Sequence, residues 1–355
     1  MSRFFSSKYK NLTPYTPGEQ PRDMQYIKLN TNESPFPPSP LALEKAAEAA
    51  KKMQLYPDPT YHALHSVLAE YHGVGEEQVL ATNGSDEILN FAFMAFCDES
   101  CPAVFPNITY GFYSVFATLN HVPYVEVPLL PDFSVDVEAL LSTKGTIFLA
   151  NPNAPTGLCL PLDVIEKIVV SDKNRVVVVD EAYVDFGGES AISLIPKYDN
   201  LLVTRTFSKS RSMAGARLGY GVGAAALMAD MNTVKYSTNP YNVNMMSAAA
   251  GLGAMQDEAY TQKNCQTVIE NRTYAENAMR KLGFVMTQSK GNFLFAKHPK
   301  VAGEEIYLEL RKRGVLVRHF RTPLIADYNR ITVGTRAQME ALVAALTQIL
   351  EEKTV

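Results

Sequence analysis

Residues 175–183, RVVVVDEAY, decide the fold that this sequence predicts. Four consecutive valines are typical of a strand that is buried on both faces, as strands are in parallel sheets covered by helices. Asp180 follows the valines directly, and Tyr183 comes three residues later. The stretch therefore predicts a central strand whose carboxyl end carries polar side chains.

Two similar strands flank this one along the chain: residues 145–150 (GTIFLA) and residues 200–206 (NLLVTRT). A helical pattern, PLDVIEKIVVS, separates the first two strands, with Pro161 suited to its first turn. Alternation at intervals of roughly 25–30 residues indicates a parallel sheet with right-handed crossovers. Ligands of such sheets bind beyond the carboxyl ends of the strands, so we expect the site there.

Length and composition narrow the class of protein. The chain has 355 residues, which suits one large domain and a smaller one, and its hydrophobic content of 46% is ordinary for a globular protein. A net charge of -4 gives no basic surface for nucleic acid or anionic membranes, so we expect neither as a partner. Four scattered cysteines and no apolar leader segment predict a cytoplasmic protein with reduced thiols and no metal site.

The chain divides into three predicted parts. Residues 1–40, rich in Pro, Asn and Ser, are predicted to form an extended arm that packs on the small domain and the partner subunit. Residues 41–254 form the large domain. Residues 255–355 form a small C-terminal domain. It is entered by one long helix over residues 255–282, a segment that contains neither Gly nor Pro.

Three predicted strands end in unusual polar sequence at one edge of the sheet. They end in NPNAPTG (residues 151–157), DEAY (residues 180–183) and TFSK (residues 206–209). Each alone is an ordinary turn, but together they bring an acid, a phenol and a lysine to one place. Lys209 could form a Schiff base with an aldehyde cofactor, and Asp180 could pair with a protonated pyridine nitrogen.

Anion donors are predicted beside the same edge. Ser208, Thr206 and Arg217 could bond a phosphate, and the NGSDE segment around Gly84 and Ser85 would add the N–H groups of a helix N-terminus. This combination favours a pyridoxal phosphate pocket. Two weaker motifs compete: residues 221–226 match a dinucleotide fingerprint without the acid expected downstream, and Thr206-x-x-Lys209 matches an acylation motif without its partner motifs.

Ten segments in this order resemble the aspartate-aminotransferase-like (fold type I) pyridoxal phosphate enzymes of the class II aminotransferase family, and among them the histidinol-phosphate aminotransferases. These segments are NLTPY, LNTNESPF, YPDP, GSDE, TYGFY, NPNAPTG, VVVDEAYVDF, RTFSKSRSMAGARLGY, VRHF and RITVGT. The resemblance covers nearly the whole chain. It implies an α/β fold with a mostly parallel seven-stranded sheet between helices and a smaller α+β C-terminal domain.

The resemblance also implies roles around a pyridoxal 5'-phosphate cofactor. Lys209 resembles the Schiff-base lysine, which also moves a proton between the substrate Cα and the cofactor, and Asp180 resembles the partner of the pyridine nitrogen. Tyr183 would bond the phenolic oxygen and Tyr110 would stack on the ring. The residues implied at the phosphate end are Gly84, Ser85, Asp86, Thr206, Ser208 and Arg217, with Tyr56 reaching the cofactor of the partner subunit in a homodimer.

Substrate contacts are implied for the small domain and the arm. Arg330 resembles the family's carboxylate-binding arginine, and Arg318, Asn32 and the partner's Tyr15 would complete the anion site. A guanidinium binds carboxylate and phosphate equally well, so one pocket could hold a small-molecule amino donor and a 2-oxo acid in turn. The expected reaction is a ping-pong transfer through Lys209 from L-histidinol phosphate to 2-oxoglutarate, giving imidazole acetol phosphate and L-glutamate for histidine biosynthesis.

One position departs from the family pattern. An asparagine that bonds the phenolic oxygen normally precedes Pro-Thr-Gly, and this chain has Ala154 there, after Asn153. Either Asn153 takes over that bond or Tyr183 makes it alone.

Several other activities remain open at this stage. Aromatic amino acid transamination and threonine-phosphate decarboxylation use the same scaffold. A non-catalytic regulator and a nicotinamide-dependent oxidoreductase are the alternatives from other classes.

Overall fold

The computed structural model describes residues 2–10 and 12–354. Met1, Asn11 and Val355, which belong to the predicted arm and C-terminal domain, lie outside the described residues, and Asn11 is the first residue of the NLTPY segment. The strands are β1 (Ile27–Leu29), β2 (Val79–Thr82), β3 (Ala103–Pro106), β4 (Tyr124–Val127), β5 (Thr146–Ala150), β6 (Val177–Asp180), β7 (Leu201–Thr206), β8 (Gly219–Gly223), β9 (Val285–Met286), β10 (Phe293–Lys297), β11 (Val315–His319) and β12 (Asn329–Thr332). The α-helices are α1 (Pro40–Ala50), α2 (His62–His72), α3 (Ser85–Phe96), α4 (Phe112–Leu119), α5 (Val137–Leu141), α6 (Leu162–Val170), α7 (Ala225–Thr238), α8 (Met245–Gln256), α9 (Glu258–Lys281), α10 (Gly303–Lys312) and α11 (Arg336–Thr354).

A seven-stranded sheet forms the larger part of the molecule, with strand order β2-β8-β7-β6-β5-β3-β4. Its neighbours pair in parallel except β8, which is antiparallel to both β2 and β7. The predicted fold class, α/β with a mostly parallel seven-stranded sheet, is confirmed. Register places Asp180 opposite Ala150 on one side and Thr204 on the other, so the polar ends of β5, β6 and β7 lie at one edge.

The valines of β6 pack into hydrophobic clusters on both faces of the sheet. Val178 belongs to the cluster with Phe148 and Leu202, whereas Val177 and Val179 belong to the cluster on the opposite face. All three β6 valines are fully buried. Complete burial of such a side chain contributes about 1.5–3 kcal/mol, which fixes β6 as the centre of the sheet.

Two predicted helix boundaries were wrong by a few residues. Pro161 is the residue before α6 and has extended backbone, rather than lying in the first turn. The helix predicted over residues 255–282 is α9, which begins only at Glu258 because Asp257 has non-helical backbone (φ −111°, ψ 55°); Met255 and Gln256 are the last residues of α8. Aspartate has low helix propensity and favours helix-capping positions, which accounts for the break.

A second sheet of five strands, in the order β1-β11-β12-β10-β9, forms the smaller part. Strand β1 comes from the predicted arm and pairs in parallel with β11, Ile27 opposite Val315 and Leu29 opposite Val317. The arm therefore contributes a strand to the small sheet. The predicted domain boundaries, at residues 40 and 254, stay a prediction. Among the described residues, every helix is too short or too polar to cross a membrane.

Candidate active site

Lys209 lies in the turn that follows β7 at the carboxyl edge of the large sheet. The backbone N–H of Met213 donates to the carbonyl of Phe207 (3.0 Å), which closes this turn. Lys209 Nζ donates to the carbonyl oxygen of Thr31 at 3.3 Å. The amine is thereby held at the wall that the arm forms opposite the sheet.

A cavity of about 250 Å³ opens beside Lys209. It brings together nine of the residues predicted from sequence: Ser85, Asp86, Tyr110, Asp180, Tyr183, Thr206, Ser208, Lys209 and Arg217. The arm residues Pro17, Gly18 and Gln20 line it as well. Nine of the 19 residues that line the cavity were therefore predicted from the sequence.

Asp180 is a buried carboxylate at the floor of this cavity. It is 5% exposed and accepts hydrogen bonds from Tyr113 Oη at 3.2 Å and Thr204 Oγ1 at 3.3 Å. Both donors are neutral, and burial raises the pKa of Asp180 to about 6. A cation placed against this carboxylate would offset the cost of burial.

Helix α3 points its N-terminus at the cavity. Gly84, the residue before the helix, has φ +81°, a conformation that glycine adopts without strain. Gly219 of β8 passes so close that a Cβ there would lie 2.4 Å from the backbone nitrogen of Ser85. The glycines thus let β8 and the start of α3 approach each other, and the free N–H groups of a helix start attract anions.

Asp86, in the first turn of α3, joins two other cavity residues. Its carboxylate contacts Arg217 Nη2 at 2.7 Å and accepts from Tyr110 Oη at 2.6 Å. Burial raises the pKa of the Tyr110 phenol well above its usual range. An incoming phosphate would compete with Asp86 for the half-exposed Arg217.

Tyr183 is tied to the arm by a chain of hydrogen bonds. Asn32 Nδ2 donates to Tyr183 Oη at 3.0 Å, and Asn32 Oδ1 accepts from Thr332 Oγ1 at 3.1 Å. Asn32 is fully buried and has φ +55°. It lies outside the cavity wall, beneath Tyr183, so its side chain orients the phenol and does not face the cavity.

The structure does not bring Asn153 to the cavity. Its Nδ2 donates to the carbonyl of Ile108 (2.9 Å) and to Thr156 Oγ1 (3.1 Å), and its Oδ1 accepts from Thr109 Oγ1 (2.8 Å). Ala154 lines the cavity instead. Asn153 would need a backbone shift to bond the phenolic oxygen of a cofactor, since its amide is bonded elsewhere.

Two arginines approach from the small sheet. Arg330 Nη2 donates to the carbonyl of Asn30 (3.1 Å), and its guanidinium lies 5.6 Å from the centre of the Phe293 ring. Its Nε is shielded from solvent and has no acceptor among the described residues, while burial lowers the pKa of the guanidinium. Arg318 donates to the carbonyls of Thr16 and Pro17 at 3.3 Å each. Both guanidinium groups have donors left for an anion.

Tyr15 and Tyr56 were expected to reach a partner's site. The structure places Tyr15 on its own chain, stacked on Phe112 with ring centres 4.2 Å apart. Tyr56 is 80% exposed and stacks on Tyr241 (4.7 Å), outside the cavity of its own chain. Tyr15 does not line the cavity of its own chain, and its expected place in a partner's site stays a prediction.

The model of the family described as "Aminotransferase class I and II" matches residues 24–346. This match covers most of the chain and includes every site residue predicted from the sequence except Tyr15. The chain belongs to this aminotransferase family.

Curated relatives of this aminotransferase match it from end to end. Histidinol-phosphate aminotransferase 2 of Dechloromonas aromatica is 47% identical over 354 residues, covering 98% of this chain and 99% of that protein. Histidinol-phosphate aminotransferase of Brachyspira hyodysenteriae is 44% identical over 353 residues, covering 99% and 100%.

Solved structures agree with the fold. A candidate histidinol-phosphate aminotransferase of Erwinia carotovora atroseptica superposes with a TM-score of 0.86 at 28% identity, covering 93% of this chain and 97% of that one. The Sinorhizobium meliloti histidinol-phosphate aminotransferase, solved in complex with pyridoxal-5'-phosphate, has a TM-score of 0.85 at 24% identity, covering 93% and 92%. The chain is a transaminase of a family whose members use pyridoxal phosphate.

Sequence reasoning missed two polar residues of the aminotransferase site. Tyr113 is fully buried and donates to Asp180, although it stands at the end of the quoted TYGFY segment. Glu33 lines the cavity and pairs with Lys28 (2.7 Å). Tyr113 has a hydroxyl group in an otherwise apolar helical segment, and this could have indicated a buried polar contact. Nothing in the sequence indicated that Glu33 lies next to Lys209.

Proposed function

We propose that this aminotransferase holds pyridoxal 5'-phosphate in the cavity beside Lys209 and transfers an amino group between L-histidinol phosphate and 2-oxoglutarate. The observation that carries the proposal is the convergence of a lysine amine, a buried carboxylate without a cation and a helix N-terminus on one cavity. The names of relatives 44% and 47% identical over the whole chain support the choice of substrate.

The floor of the cavity fits the pyridine end of the cofactor. Asp180 is buried with two neutral donors, so a protonated ring nitrogen would supply the positive charge that its surroundings lack. Tyr113 and Thr204 would keep the carboxylate oriented toward that nitrogen. When bound, pyridoxal phosphate supplies an aldehyde that amines can bond and a ring that withdraws electrons from the substrate Cα.

The opposite end fits a phosphate. The first N–H groups of α3, the Ser208 and Thr206 hydroxyls and the Arg217 guanidinium all border the cavity there. Charge-assisted bonds from Arg217 and the helix N-terminus would hold the dianion. This end anchors the cofactor so that only the reacting atoms move during turnover.

Lys209 is our proposed proton carrier. Its Nζ is held by a single bond to the Thr31 carbonyl, so it can move within the cavity without losing a salt bridge. Tyr183 lies beside it, with Lys209 Nζ 5.8 Å from the centre of the phenol ring. An amine in this position would take a proton from the substrate Cα and deliver it to the aldehyde carbon of the cofactor, as general acid–base catalysis requires.

Arg330 and Arg318 are our proposed anion binders for the substrates. Arg330 has an Nε without an acceptor, and Arg318 is bonded only to arm carbonyls at 3.3 Å. A guanidinium can donate two parallel hydrogen bonds to either a carboxylate or a phosphate, so one pair of arginines would serve both half-reactions.

A homodimer is part of the proposal. Tyr56 is 80% exposed, and an aromatic side chain so exposed suits a contact with a second subunit. In that dimer Tyr56 would reach the phosphate end of the partner's cavity, and Tyr15 would reach the substrate site of the partner.

An absorbance spectrum tests the reaction directly. The purified protein, reconstituted with pyridoxal phosphate, should show a visible band that L-histidinol phosphate removes and 2-oxoglutarate restores. A band that responds to aromatic amino acids and not to L-histidinol phosphate would identify an aromatic amino acid as the substrate. Release of carbon dioxide from threonine phosphate would show that the reaction is decarboxylation and not transamination. No visible band after reconstitution would refute the cofactor assignment.

A further inference from the structure

A buried ionic cluster adjoins the turn that carries Lys209. We define it as Glu181, Asp185, Arg205 and Ser210. Arg205 Nη1 contacts Glu181 Oε2 at 3.1 Å, and its Nη2 contacts Asp185 Oδ1 at 2.5 Å. The other carboxylate oxygen of Asp185 accepts from Ser210 Oγ at 2.5 Å. The Arg205 and Glu181 side chains are 8% and 0% exposed, and the Asp185 side chain is 29% exposed, so only the Glu181 end of this cluster is fully shielded from water.

Members of the ionic cluster alternate with cavity residues along the chain. Glu181 follows Asp180, and Ser210 follows Lys209. None of the four members lines the cavity. Asp180, Thr206 and Lys209 of the cavity therefore each have a chain neighbour whose side chain bonds within the cluster.

Asp185 is the link between two of these segments. It belongs to the short 3₁₀ turn Val184–Phe186 that follows Tyr183, and it bonds Ser210 of the lysine turn. Since Arg205 holds the other oxygen of Asp185, the carboxylate has little freedom to follow Ser210 if the turn moves. The hydrogen bond from Ser210 to this charged acceptor is of the strong kind.

We propose that Ser210 and Asp185 are positioning residues, which hold the turn after β7 so that Lys209 Nζ points into the cavity. The proposal rests on the proposed function, in which Lys209 is the reacting amine. Without the Ser210 hydroxyl, the lysine turn would keep its backbone bond from Met213 to Phe207 but would lose its side-chain attachment to the cluster. The amine would then occupy its productive position for a smaller fraction of the time.

Ser210→Ala and Ser190→Ala form a matched pair of variants. Ser190 Oγ donates to Glu181 Oε2 at 2.6 Å, so it bonds the same cluster without touching the lysine turn. Each variant removes one hydroxyl from one cluster carboxylate. A purely structural role of the cluster predicts equal effects of the two changes, whereas positioning predicts an effect of Ser210→Ala alone.

The first readout is the reaction of Lys209 with acetic anhydride in cofactor-free protein, followed by mass spectrometry of the peptide. We expect the labelling rate of Lys209, normalised to exposed Lys144, to change at least about threefold in Ser210→Ala and to stay unchanged in Ser190→Ala, because local loosening alters access to the amine. The second readout is steady-state kinetics of the holoenzyme. Ser210→Ala should lower kcat by about 10-fold to 100-fold with KM nearly unchanged, as expected for a misplaced catalytic group.

Asp185→Asn provides a second test with nearly the same side-chain volume. Asp185→Asn should change the labelling rate of Lys209 and kcat in the same direction as Ser210→Ala does. If Ser210→Ala does not fold, Asp185→Asn takes its place in the comparison with Ser190→Ala. Equal labelling rates and equal kcat in Ser210→Ala, Ser190→Ala and the parent protein would overturn the proposal. A parent protein without turnover would refute the proposed function, while the labelling rates would still decide whether Ser210 positions Lys209.

Discussion

At the scale of single residues, Lys209 decides the proposed chemistry. Lys209→Ala removes the only amine on the cavity wall among the described residues, so turnover should fall by at least about 10³-fold, since one group serves both as nucleophile and as proton carrier. Lys144→Ala is the control, because Lys144 is exposed and precedes β5 at the opposite edge of the sheet. Steady-state rates measure the effect, and comparable activity of the two variants would contradict the assignment.

Asp180 gives a prediction about stability and pH. Burial raises the pKa of Asp180 from 3.8 to about 6, so the folded protein binds this proton more tightly than the unfolded chain does. Stability of the cofactor-free protein is therefore lost as pH rises from about 4 to about 6, by roughly 3 kcal/mol from this one group. The side chain of Asp180→Asn cannot ionise. The free energy of unfolding of the variant, relative to that of the parent, should therefore increase as pH rises over this range.

Urea unfolding of both cofactor-free proteins between pH 4.5 and pH 7 measures this difference. Subtracting one curve from the other removes the contribution of every group that titrates alike in both. A difference that stays constant across the range would show that Asp180 ionises in the folded protein as easily as in the unfolded chain.

At the scale of elements, the contact between β8 and the start of α3 controls the phosphate end. A Cβ at Gly219 would lie 2.4 Å from Ser85 N and 2.6 Å from the carbonyl carbon of Gly84, both backbone atoms that cannot swing aside. Gly219→Ala should push α3 out of place, cost about 1–3 kcal/mol of stability and weaken pyridoxal phosphate binding at least about 10-fold.

Gly215→Ala is the matched control, since a Cβ there meets nothing within 4 Å. Fluorescence titration of the cofactor-free proteins with pyridoxal phosphate compares the two variants. Equal affinities would mean that α3 can shift without disturbing the phosphate end.

Element identity could be predicted wherever local sequence and burial agree. The valines of β6 predicted the strand, the parallel sheet and the edge of the sheet where the site lies, because a strand buried on both faces must be apolar along its length. The orientation of Asn153 could not be predicted, since it depends on partners such as Ile108 that are distant in sequence. The buried partners of Asp180 were missed for the same reason, because Tyr113 meets it only in the folded sheet.

At the scale of the whole molecule, the proposed dimer shares its sites between chains. Lys209→Ala and Tyr56→Ala homodimers should each be impaired, the second mainly in cofactor affinity. Unfolding and refolding the two variants together should yield mixed dimers. In such a dimer one of the two cavities has both Lys209 and a Tyr56 from the other chain. Activity at limiting pyridoxal phosphate should then recover to about a quarter of the parent level, since half of the dimers carry one intact site of two. No recovery would indicate that Tyr56 acts within its own chain.

The pairing of β1 with β11 sets the order in which the molecule can be completed during synthesis. Ile27 leaves the ribosome long before Val315, its partner in the small sheet, has been translated. Thr31 and Glu33 follow β1 directly and form one wall of the cavity, so that wall can close only when the last third of the chain has emerged. A nascent chain that stops before β11 would therefore contain Lys209 and Asp180 on a complete large sheet and still lack an enclosed site.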